Sequence, residues 1–217
     1  MTQHITKSFK DIFSKTVLLF IVKMSLVSLA ISSVLVWLFA GSLTDIIASY
    51  LSFIPWEWAQ TTGASVASVL IAYMLFVLTL SVVTSLMIEP LLIVLAKKHY
   101  PNATVVGTPD LKTSLFLSLK AGGLFLGIFV FTFPLMFIPL LGAVYMLWLW
   151  SLLLKAPTIY DVSSLFITDK KEIADKTKKS TLLAMIAAGF NYIPIFNIFA
   201  PVFAQILFLH KILGEEA

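Results

Sequence analysis

Apolar residues run along this chain in long unbroken blocks, without the polar interruptions every three or four positions that a soluble helix shows. Three stretches carry no charge: Gly63–Ile88, Ala121–Leu154 and Thr181–Leu209, of 26, 34 and 29 residues. Each exceeds the roughly 20 apolar residues that cross a bilayer. An earlier block, Val17 to Ala40, is 24 residues long, more than a signal peptide's apolar core, and no small-x-small cleavage site follows it; it predicts an uncleaved membrane helix. Ahead of it, Ile5, Phe9, Ile12 and Phe13 fall at helical spacing among Lys7, Lys10 and Lys15. That pattern predicts a short amphipathic helix over 1–16, lying on the membrane surface. Leu43, Ile46, Ile47, Tyr50, Leu51 and Ile54 form a second helical stripe, followed by Pro55, Trp56 and Trp58. It should lie flat at the interface, held by its tryptophans.

Length separates the blocks into two kinds. As a helix, Gly63–Ile88 spans about 39 Å, enough to cross with tilt. Ala121–Leu154 would make about 51 Å, too long for one span, while two spans and a turn need about 44 residues. Pro134, Pro139 and Gly142 divide it into halves of roughly 13 residues, about 20 Å each. Pro194 and Pro201 divide Thr181–Leu209 in the same way. The two dividing phrases are alike, "FIPLLG" from Phe137 and "YIPIFN" from Tyr192. The economical arrangement is two spanning helices, 17–40 and 63–96, and two hairpins, 113–156 and 181–212, that dip into the membrane and return. Unpaired backbone at such tips survives only when buried in protein or lining a water-filled cavity. The alternative is a six-helix bundle whose spans are merely kinked by proline.

The composition agrees: 59% hydrophobic and 12% charged, where a soluble domain carries about a quarter charged residues. The expectation is one all-α membrane domain over 1–217, with a charged cytoplasmic segment at 157–180. All 15 basic residues are lysines. They crowd residues 1–23, the loop holding Lys97, Lys98, Lys112 and Lys120, and the segment from Lys155 to Lys179, and avoid the 41–60 connection. The positive-inside rule then places both termini and both lysine-rich loops in the cytoplasm. Within the charged segment, Glu172–Lys176 and Asp175–Lys179 at i, i+4 support a helix, whose lysines suit anionic headgroups. Glu89 sits where a carboxylate can reach water and pair with Lys97 or Lys98.

Catalytic chemistry finds no footing. The chain has no His-Glu-x-x-His, no Gly-x-Ser-x-Gly, no phosphate-cradling lysine loop and no Cys/His metal cluster. No cofactor is expected. His4, His99 and His210 stand isolated in the sequence near cytoplasmic helix ends, and no folded basic domain exists to bind nucleic acid.

"MIEPLLIVLAKK", "FIPLLGAVYMLWLW", "LLLKAPTIYD" and "YIPIFNIFAP", in this order and spacing, resemble the CysZ-like sulfate permeases of bacterial inner membranes. The likeness covers roughly residues 5–212 and rests on Pro90, Ile138-Pro139 with Gly142, Pro157, and Ile193-Pro194 with Asn197 and Pro201. It implies two long spanning helices with partly penetrating hairpins, a homo-oligomer, and sulfate uptake for sulfur assimilation without ATP hydrolysis. The chain departs from the family at the Gly-aliphatic-Arg loop that holds sulfate: that register here is Val17-Leu18-Leu19-Phe20, and no arginine occurs anywhere. The family's Gly-Pro in the third block is Gly142-Ala143 here, and its acidic residue before Pro157 is Lys155.

For an anion, physics offers helix halves whose N-termini point at a tip, near Gly142 and near Pro201. Asn197 adds an amide donor, and Lys23 and Lys120 supply charge. The candidate anion-binding or pore residues are therefore Lys23, Lys120, Pro139, Gly142, Pro194 and Asn197. Each has a plainer role: snorkelling for the lysines, helix joining for Asn197, kinking for the prolines. A membrane-shaping or assembly protein of the same fold is the competing reading to an oxyanion permease.

Overall fold

The computed structural model describes residues 2–52, 55–132, 135, 138–193 and 195–214; within these, the side chains of 40–46, 48, 50, 51 and 59 are not described. Among the described residues every regular element is helical. The order is α1 (Thr2–Ile12), α2 (Lys15–Leu51), α3 (Glu57–Met87), α4 (Glu89–His99), α5 (Leu111–Thr132), α6 (Leu141–Ser163), α7 (Lys170–Lys178), α8 (Thr181–Gly189) and α9 (Ala200–Leu213). The chain divides into two compact units, Leu19–Met87 and the remainder.

In the Leu19–Met87 unit, α2 buries a stripe at helical spacing through Ile21, Met24, Ser28 and Ser32, and α3 buries Leu80 and Thr84. Their other faces are apolar and exposed, from Leu26 and Trp37 to Val69 and Leu78, an extent of bare hydrocarbon that suits lipid and not water. The interfacial stripe predicted from Leu43 onward continues α2 to Leu51 without a break; Phe53 and Ile54 lie outside the described residues. The helix expected over 63–96 is divided at Ile88 into α3 and α4. Pro90, in α4's first turn, explains this, since it lacks the N–H that would continue the ladder. Glu89 sits in that same first turn, where the helix dipole favours a carboxylate.

The other unit is built around α9. Twelve of its fourteen residues are buried, Phe203, Phe208 and Leu207 completely, as a helix apolar on all sides requires. Phe203 stacks on Phe190 with ring centroids 4.1 Å apart, and Phe9 of α1 lies 5.1 Å from Phe203. Such pairs add about 0.5–1.5 kcal/mol each beyond burial. The contact to α9 changes the reading of α1. Its buried face is Ser8, Asp11 and Ile12, so it docks on protein through the face that carries a carboxylate, while Phe9 and Phe13 remain substantially exposed.

α5 and α6 form an antiparallel hairpin, with Phe125 against Trp150 at 5.6 Å and a hydrogen bond between the Thr132 and Tyr145 hydroxyls nearer the tip. Both helices run past the uncharged block into charged sequence, α5 from Leu111 and α6 through Lys155 and Pro157 to Ser163. At 22 and 23 residues each meets the length and composition for a span, as do Lys15–Phe39 and Gln60–Met87. In the first hairpin both helices are thus longer than the expected halves of about 20 Å, while in the second α8 has nine residues, about 14 Å, and α9 fourteen, about 21 Å. α7 forms where its charge spacing predicted a helix: Asp169 caps it through Lys171 N–H at 2.8 Å, and Glu172 pairs with Lys176 at 3.3 Å. Asp175 pairs with Lys178 at 3.7 Å and not with the expected Lys179.

Candidate functional site

The described residues of the two similar phrases share a backbone feature. Leu140 and Ile195, each directly after the phrase's proline, have φ of 62° and 72°, a region that β-branched and bulky residues enter only under strain. Strain of this kind costs on the order of 1–3 kcal/mol per residue and clusters at functional sites. In both tips the next-but-one residue bonds back four positions: Gly142 N–H to the Ile138 carbonyl at 2.7 Å, and Asn197 N–H to the Ile193 carbonyl at 3.1 Å. At Leu140 the strained residue also closes a three-residue turn, Leu141 N–H to Pro139 O at 2.7 Å, the rare γ form. Leu140 is 85% and Ile195 71% exposed, whereas Gly142 just behind is buried.

The packing of α6 on α8 puts both tips at one end. A Cβ on Gly189 would come within 4.0 Å of Leu147, and eight residues on along α6 the Lys155 ammonium donates to Thr181 Oγ1 at 2.9 Å. This register is antiparallel, one residue for one, and carried forward it sets Gly142 level with the turn that follows Tyr192.

The predicted residues are only partly gathered. Pro139 and Gly142 share the first tip, and Asn197, half-buried, belongs to the second. Pro194 lies outside the described residues. Lys120 is exposed on α5 twelve residues before Thr132, about 18 Å along the axis from that helix's end. Lys23 is exposed on α2, in the other unit. The N–H groups of Leu141, Gly142 and Val144, which open α6, are already bonded to carbonyls of the tip itself.

The strongest polar constellation is one the sequence did not announce. Asp11, which the sequence did not single out, and His99 and His210, isolated in the sequence, converge from α1, α4 and α9. His210 Nε2 lies 2.8 Å from Asp11 Oδ2, and His99 Nε2 lies 2.9 Å from both carboxylate oxygens. Lys98 Nζ reaches Asp11 Oδ1 at 3.0 Å, so this lysine serves Asp11 in place of the expected Glu89. The Tyr100 hydroxyl lies 3.1 Å from His210 Nδ1, and Lys7 stands 5.1 Å over the Tyr100 ring. Asp11 and His210 are buried. Burial alone would raise the Asp11 carboxyl, but hydrogen bonds from His210, His99 and Lys98 outweigh it and hold it well below the usual carboxylate range. Burial lowers His210, against the pull of Asp11, so its imidazole is neutral at pH 7, with Nε2–H donating to Asp11 and Nδ1 accepting from Tyr100. The sequence signal was weak: a lone acid in α1, and histidines next to helix ends.

The Leu19–Met87 unit holds a cleft of 620 Å³ lined by Leu29, Ser32, Val36, Trp37, Tyr73 and Phe76 among others. Its walls carry hydroxyls and no charge, which does not suit an oxyanion.

No curated protein and no solved structure matches the chain. A family model does, over residues 4–201, the one described as sulfate transporter CysZ/etoposide-induced protein 2.4. Among the described residues, four helices long and apolar enough to cross a membrane accord with a transporter family, and the chain is a multi-pass membrane protein. It belongs to the family of the sulfate transporter CysZ and etoposide-induced protein 2.4.

Proposed function

We propose that the protein is a permease for small oxyanions, sulfate foremost, in a bacterial inner membrane, working as a homo-oligomer with both termini cytoplasmic. The observation that carries the reading is the pair of strained tips at one end of the α6/α8 pair, Leu140 and Ile195, in a chain of a transporter family. Strained backbone persists only where the surroundings hold it, and broken helices at mid-membrane are a recurrent way to build a transport site. Gly142 leaves room for close backbone approach and Asn197 supplies donors. A homo-oligomer would add the charge that one chain's tips lack, through lysines such as Lys23 and Lys120, and the cytoplasmic lysines would also hold anionic lipids. Labelled sulfate flux into proteoliposomes, with phosphate and thiosulfate as competitors, tests this directly. The second reading, a membrane-assembly protein of the same fold, is favoured by the bonded N–H groups opening α6; absence of flux for all three anions would select it.

Two expectations follow from this reading. If the α8–α9 hairpin enters and returns while α5 and α6 close at a protected tip, Leu140→Cys and Ile195→Cys should resist an impermeant external thiol reagent under conditions where Trp56→Cys reacts. Labelling of position 140 as fast as position 56 would place the tips at the outer surface. For charge, Lys23→Gln should weaken oxyanion binding several-fold with assembly unchanged, since lysine offers a single compact charge and no arginine shares the load. Equal binding by the variant would return Lys23 to the headgroups.

A further inference from the structure

We propose that Asp11, His99 and His210 form a binding site for a divalent transition-metal ion of the zinc class, which fastens α1 to α4 and α9. The donor set is two imidazoles and one carboxylate, the mixture that suits zinc and its neighbours and not magnesium or calcium. One ligand atom from each residue lies within 4.8 Å of the others. Around a tetrahedral ion with bonds of about 2.0 Å, donor atoms sit roughly 3.3 Å apart. The contacts of 2.8 and 2.9 Å need open by only about half an ångström.

The surroundings are those of a prepared site. Asp11 and His210 come from well-packed elements, and the His99 and His210 rings are set edge to face with centroids 5.1 Å apart. His99 retains 22% side-chain exposure, which leaves a side for entry and for a fourth ligand from water. Metal binding requires His210 to present a bare Nε2 and carry its proton on Nδ1. Tyr100 permits that exchange, because its hydroxyl stands 3.1 Å from Nδ1 and 3.5 Å from the His210 carbonyl. It can accept from Nδ1–H while donating to the carbonyl, the outer support that ligating histidines regularly have. Lys98 opposes a second cation beside Asp11, but its side chain is 55% exposed and can swing into solvent. His4 and Lys7 also belong to α1; Lys7 is engaged over the Tyr100 ring and supplies no ligand.

The proposal is independent of the transport reading. Tag-free full-length protein in detergent, equilibrated with Zn²⁺ and dialysed against metal-free buffer, should retain one zinc per chain. Substituted with Co²⁺, it should show visible d–d absorption of a nitrogen- and oxygen-ligated ion. His99→Ala, at the more exposed position, should weaken Zn²⁺ binding on the order of 100-fold with folding preserved, and Tyr100→Phe about tenfold. Wild-type protein that retains no zinc, or a His99→Ala variant that binds as tightly as wild type, would overturn it; the cluster would then be a hydrogen-bonded clasp and nothing more.

Discussion

Asp11→Ala should lower the stability of the α1–α4–α9 unit by on the order of 3 kcal/mol, the largest single-residue effect expected in the chain. Asp11 is buried and receives His210, His99 and Lys98 within 3.0 Å. Hydrogen bonds to a charged group contribute about 1.5–3 kcal/mol each, though bonds sharing one acceptor do not add in full. Alanine removes all three and leaves the His210 Nε2–H buried with no acceptor, which is costlier than losing a solvated contact. Lys98→Gln should cost far less, because the lysine is more than half exposed and exposed ion pairs contribute roughly 0–1 kcal/mol. Equilibrium unfolding in detergent, followed by tryptophan fluorescence and by proteolysis of α1, measures both. A loss below about 1 kcal/mol for Asp11→Ala would mean that α1 is held by Phe9 and Ile12 alone.

Gly142→Leu should reduce anion flux at least tenfold, on the order of the effect expected from filling a site where backbones approach closely. Gly142 is buried behind the exposed Leu140, and its N–H bonds the Ile138 carbonyl across the tip. If the second tip stands opposite, as the transport reading has it, a leucine side chain there fills the space between the two. Insertion should be unaffected, since leucine favours the membrane. Asn197→Leu removes an amide from the matching position of the second tip without adding charge. If the two tips share one site, the double variant should lose no more flux than the stronger single one, because neighbours couple and distant positions do not. Flux losses that multiply, each mild, would reduce the tips to kinks in packing helices.

Much of the architecture is written locally. Uncharged blocks of 26 to 34 residues point to membrane helices, since in lipid only a helix or a closed barrel satisfies its backbone and a barrel strand needs only about ten residues. The break at Pro139 is equally local: proline has no N–H to continue a helix, and the repeated phrase produces the same backward hydrogen bond at Gly142 and Asn197. α7 follows from one capping aspartate and an i, i+4 pair. Helix ends were less legible. α5 and α6 extend through Lys112 and Lys155 because a lysine can keep its charge near the headgroups while its stem stays in the helix. Pro90 divides the second long helix, while Pro157 is absorbed within α6; the same residue type has opposite outcomes, and neighbouring packing decides which. The polar cluster was illegible. Asp11 stands 88 residues from His99 and 199 from His210, so no spacing along the chain joins them. Only the docking of α1 and α4 around a helix buried on every side brings the three together, and there the buried Asp11 and His210 find their partners in other helices because little water reaches them.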